Sequence, residues 1–152
     1  MLHTDIEKAD SLPDKKEVIT NLLFLTDSTP WRSNNQYTYI RIPTQDTPRF
    51  YIMNNKVEGE GENGKVYKSW LIIPNKGELH FDLRAIKITN TLHKSKKHLL
   101  ESVQQEANIL AKIYVETEKP FVMDNQILLI TKYIPGKTLI NNEGKITTIL
   151  KN

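Results

Sequence analysis

Gly59, Gly61, Gly64 and Lys65 crowd into the stretch "VEGEGENGKVYKSW", Val57 to Trp70. Glycine lets backbone approach a phosphate closely and lysine supplies a cation, so the pattern suits a polyphosphate. Three arrangements fit it. G-x-G-x-x-G opens a dinucleotide-binding crossover, and G-x-x-x-x-G-K begins a P-loop. With Val66 the residues also spell G-x-G-x-x-G-x-V, a glycine-rich hairpin laid over phosphates. A P-loop requires Ser or Thr after the lysine, to coordinate magnesium, and Val66 stands there. Both of the first two need a helix at the third glycine, whose N-terminal amides complete the cradle. "KVYKSWLII" is instead rich in β-formers and ends in the turn "PNKGE". The hairpin is the arrangement that remains, and a P-loop NTPase is set aside.

A second pair of residues could do chemistry together. On the strand "LHFDLRAIKIT", the period of two puts Phe81, Leu83, Ala85 and Lys87 on one face and Ile86 and Ile88 on the other. Lys87 therefore leaves an apolar surface with its charge in need of a partner. Glu106 interrupts the apolar stripe of a helix, three residues after Val103 and four before Leu110. Either charge left buried alone would cost roughly 3–5 kcal/mol. Pairing of Lys87 with Glu106 removes both costs.

The elements that must position these groups are legible in outline. "PDKKEVITNLLFLTD" suggests a short helix with Val18, Leu22 and Leu25 on one side, and "STPWRSNNQ" a loop. Strands are expected at 37–42, 49–53, through "KVYKSWLII" and "LHFDLRAIKIT", and at 121–124 and 127–134. Residues 94–114 read as one long helix, with Leu99, Val103, Leu110 and Ile113 inward and Glu101, Gln105, Asn108 and Lys112 outward. The fold class expected is α+β.

Bulk properties narrow the function classes. The chain has 152 residues, 26% charged and 38% hydrophobic, which fits one globular domain with a core. Its net charge of +3 is mild and Lys outnumbers Arg, so a nucleic-acid surface is not expected. Cysteine is absent, which removes disulfides, thiolate metal sites and a Cys nucleophile. The start "MLHTDIEKAD" is not a secretory signal, and no run is long and apolar enough for a membrane span. His93 and His98 are off the i, i+4 spacing of a metal pair, so no metal site is expected. "HKSKK" reads as a solvated basic face.

With "GEGENGKV", "RAIK", "QQEANIL" and "LLITKYIPGKTL" in this order, residues 37–139 resemble the N-terminal lobe of a protein kinase of Ser/Thr type. The resemblance implies a five-stranded antiparallel sheet with one long helix, preceded by an extension over 1–36 and followed by a tail over 140–152. It implies ATP as ligand: Gly59, Glu60, Gly61 and Gly64 over the phosphates, and Lys87 on the α- and β-phosphates with Glu106 fixing it. Val66 and Ala85 would roof the adenine, Thr131 would be the gatekeeper, and Lys132, Tyr133 and Ile134 the hinge. Lys87 and Glu106 are the catalytic candidates. The tone of "TPRFYIM" and "KYIPGKTL" is similar to kinase-like effectors of intracellular bacteria, implying a cytoplasmic protein or one secreted into a host cell.

Three departures accompany the resemblance. Glu58 replaces the usual apolar residue before the first glycine, and Asn63 the usual aromatic tip. Glu58, Glu60 and Glu62 bring carboxylates near a polyphosphate, where each like-charge contact at about 4 Å costs roughly 1–4 kcal/mol. The H-R-D and D-F-G motifs, which position the substrate hydroxyl and magnesium, do not occur in this chain. They belong to a C-terminal lobe, whose first helix would fall at "INNEGKITTILKN". This chain alone is therefore expected to bind ATP without transferring phosphate, with Mg2+ expected only alongside that lobe and a protein as substrate or partner. The other expectation is a non-catalytic kinase-like module that works by binding a partner.

Overall fold

The computed structural model describes residues 12–61, 64–91, 95–113 and 117–133. Asp14 starts the first helix, α1 (Lys15–Leu22), its side chain accepting the Glu17 amide at 2.8 Å. Seven strands follow: β1 (Trp31–Ser33), β2 (Tyr37–Ile42), β3 (Arg49–Glu60), β4 (Lys65–Asn75), β5 (Glu78–Asn90), β6 (Phe121–Met123) and β7 (Gln126–Lys132). The long helix α2 (Lys96–Ile113) lies between β5 and β6. The class is α+β, but the sheet of the described residues has seven strands, where the resemblance implied five and the strand pattern read as six. Trp31–Ser33, read as loop, pairs with Thr38–Ile40 as an edge strand. The expected boundary after residue 36 therefore falls inside the β1–β2 hairpin.

All neighbouring strands are antiparallel, in the order β1-β2-β3-β4-β5-β7-β6. The β4–β5 turn places Lys76 at φ 52° and Gly77 at φ 81°, the pair of positive values that a two-residue hairpin matched to strand twist requires. Because β3 to β5 are long, the sheet curls, and its two faces are buried differently. On one face Ile40, Ile42, Tyr51, Met53, Ile86, Leu128 and Ile130 pack together, with no helix among the described residues over them, as in a half-barrel. Glu118 helps close that curl. Its backbone amide bonds the Ile130 carbonyl of β7, while its carboxylate accepts from Arg49 at 2.8 Å and from the Tyr51 hydroxyl of β3.

The opposite face carries both helices. α1 and the turn after it bring Val18 and Leu25 against Tyr37, Tyr39, Ile52, Trp70 and Ile72. Further along, α2 lays Leu99, Val103, Ala107 and Leu110 on Ile127 and Leu129. Ile113, expected inward, is 43% exposed. It stands about 60° round the helix from Leu110, at the margin of the stripe. Between the helices, no helix among the described residues lies over a strip of this face. The register places Val66 and Lys68 of β4 and Leu83, Ala85 and Lys87 of β5 along it.

Candidate functional site

Lys87 and Glu106 meet. The Lys87 ammonium donates to both carboxylate oxygens, at 2.9 and 3.2 Å. Their side chains are 22% and 19% exposed, so the pair sits in a partly dry setting with an opening to solvent. Its position follows from packing. β5 puts Lys87 beside Val66 of β4 and Leu129 of β7. Leu129 anchors α2, and the helix's apolar stripe leaves Glu106 facing β5. The ion pair ties sheet to helix at one end of the strip.

The glycine segment is a hairpin, with no helix after it: the β3–β4 ladder continues through Gly59↔Val66 and Glu60↔Lys65. Gly61 N–H donates to the Gly64 carbonyl at 2.9 Å and closes the turn. That amide is thereby engaged, and would have to leave its partner to face a phosphate. Register shifts on either side of Val57 mark bulges that re-aim Glu58 and Gly59. A Cβ on Gly64 would stand 2.4 Å from the Ile88 carbonyl oxygen, so this glycine is required by contact with β5. The exposed Glu60 carboxylate lies 3.9 Å from Lys65. Glu62 and Asn63 lie outside the described residues.

At the strip's other end Thr131 pairs with Ala85 in register, and both are half-buried. Lys132 pairs with Arg84 and is exposed. Tyr133 is half-buried and its hydroxyl donates to Glu58 at 2.6 Å. Ile134, the last expected hinge residue, lies outside the described residues. Lys68 was not anticipated as part of the site. Its ammonium lies 5.5 Å from the Tyr133 ring centre and 5.7 Å from that of Trp70, within the range of cation–π attraction. The strand alternation that set Val66 and Trp70 on one face holds Lys68 between them, which was the available signal.

A hollow of about 710 Å³ lies away from the strip, lined by Arg49, Leu71, Ile73, Arg84, Thr117 and Glu118 among others. None of the expected ATP-contacting residues lines it. Among the described residues no three His, Asp or Glu side chains are grouped to hold a metal ion, and no helix is long and apolar enough to cross a membrane. In comparisons with family models, curated proteins and solved structures, the chain matches none.

Proposed function

We propose that residues 37–139 act as an ATP-binding lobe of protein-kinase type, which in a complete enzyme would serve phosphoryl transfer to protein hydroxyls. The observation that carries this reading is the Lys87–Glu106 ion pair, made between the strand after a glycine hairpin and the helix after that strand. Phosphoryl transfer in this class uses a lysine to hold phosphates and a helix glutamate to hold the lysine. Val66 and Ala85 offer apolar surface beside the pair, and Thr131 is small enough to leave room behind them. H-R-D and D-F-G would have to come from elsewhere for chemistry to occur.

A second reading, a kinase-like module that binds a protein without catalysis, is favoured by the Tyr133–Glu58 hydrogen bond and the engaged Gly61 amide. The first spans the strip where a nucleotide would lie, and the second engages an amide that would face a phosphate. A thermal-shift measurement with magnesium and ATP separates the readings. With about 1 mM ATP and Kd near ~0.1 mM, linkage supplies about 1.4 kcal/mol, or a rise in Tm of roughly 3–6 °C. Lys87→Ala is expected to remove the rise. No rise in either the wild type or Tyr133→Phe would overturn ATP binding and leave the interaction module.

A further inference from the structure

The Tyr133–Glu58 contact joins strands that are not neighbours. Glu58 lies in β3 and Tyr133 directly follows β7, with β4 and β5 between them. Three strand spacings of about 4.8 Å separate their backbones, so the two side chains must reach toward each other over the sheet. The path is fixed by what lies under it. Lys68, on β4, approaches the Tyr133 ring face at 5.5 Å. Ala85, beside Lys68 in register, offers only a methyl group. Trp70 backs Lys68 from the adjoining position and is itself buried. Bonded to Glu58 of β3 and facing Lys68 of β4, the phenol thus reaches over the end of the strip away from Lys87, where a base would rest if Lys87 held the phosphates.

We propose that Glu58, Tyr133 and Lys68 form a latch closed over the base end of this strip, which a nucleotide must displace to enter. The inference rests on the nucleotide-site reading and adds to it the residues that limit access. Glu58 is the acceptor, Tyr133 the lid, and Lys68 with Trp70 the seat on which the lid rests. Opening breaks a hydrogen bond to a charged group and uncovers the ring, so the closed form lowers apparent affinity by the fraction of molecules it occupies.

A double-mutant cycle read by nucleotide affinity tests the latch. The probe is ATP with magnesium, titrated calorimetrically into wild type, Tyr133→Phe, Glu58→Ala, the double variant, Glu58→Gln and Lys87→Ala. Tyr133→Phe keeps the ring and loses only the donor, and is expected to bind about tenfold more tightly. Glu58→Ala should gain at least as much, and the double variant no more than Glu58→Ala alone, because the same bond is lost. Glu58→Gln keeps an acceptor without the charge. A gain confined to the two Glu58 variants would assign the effect to repulsion of phosphate and overturn the latch. Wild type and Tyr133→Phe binding equally, with Lys87→Ala not binding, would overturn the latch while the nucleotide reading stands. If no variant binds at millimolar ATP, the nucleotide reading fails and the latch falls with it.

Discussion

Gly64 and Gly77 are both glycines in hairpins, and they are needed for different reasons. At Gly77 nothing lies within 4 Å of an added Cβ, but φ is +81°, a left-handed value that costs an L-residue about 1–2 kcal/mol. At Gly64 the obstacle is the Ile88 backbone oxygen at 2.4 Å, which cannot swing aside as a side chain would. Gly64→Ala is therefore expected to cost about 1–3 kcal/mol, and chemical denaturation will read it without any ligand. A neutral or stabilising result would show that β4 and β5 can part there. This third glycine of the motif is thus explained by sheet packing alone. The phosphate reading leans on Lys87 and Glu106, whose partnership was legible because each is a charge stranded in an apolar pattern. The Glu58–Tyr133 bond was not legible. Its members are 75 residues apart, and although Glu58 stands where the resembled family has an apolar residue, neither is a charge stranded on an apolar face that would demand a partner.

Elements with strong internal periodicity could be read from the sequence, and those without it could not. α2 announces itself by Leu99, Val103 and Leu110, and β7 by its continuous run "ILLIT". β1 has no such signature: its three residues are all exposed, and it is held by backbone pairing to β2. Asn34 makes the turn between them, its side chain accepting the Gln36 and Tyr37 amides at 2.8 Å each, which is why "SNNQ" reads as loop. The consequence concerns the extension before residue 37. Val18 is fully buried and Leu25 nearly so, against Tyr37, Tyr39, Ile52 and Trp70. A chain shortened to begin at Tyr37 is expected to lose cooperative unfolding, because that apolar surface would face water. Val18→Ala is the milder probe and should cost about 1.5–3 kcal/mol. A shortened chain with unchanged denaturation would mean that α1 and β1 are appended to the lobe without supporting it.

The whole molecule is organised by one curled sheet, and two buried tyrosines report on whether it stays curled. Tyr51, on the face opposite α1 and α2, and Tyr39, beneath α1, are both fully buried. Desolvation pushes both phenols well above their ordinary value, and for Tyr51 the hydrogen bond to Glu118 and its charge add to the effect. No sequence pattern would single out Glu118, since it acts through a curl that only the assembled strands define. The raised values fix the sign of an alkaline response. An unfolded phenol loses its proton near pH ~10, while the folded one keeps it, so above that pH the native state binds more protons than the unfolded chain. The stabilisation is complete below pH ~10 and is lost as pH rises toward the folded value. Each tyrosine should contribute a decline of about 1.4 kcal/mol per pH unit above ~10. The contribution is isolated by difference from the wild type. Urea unfolding at several alkaline pH values should show a shallower decline for Tyr51→Phe and for Tyr39→Phe than for wild type, each by about that slope. Tyr51→Phe should also be less stable at neutral pH, because the Glu118 carboxylate loses a donor on the face where it closes the half-barrel. If both variants followed the wild-type slope, the two phenols would have to reach water in the native state, and a sheet curled as described does not let them.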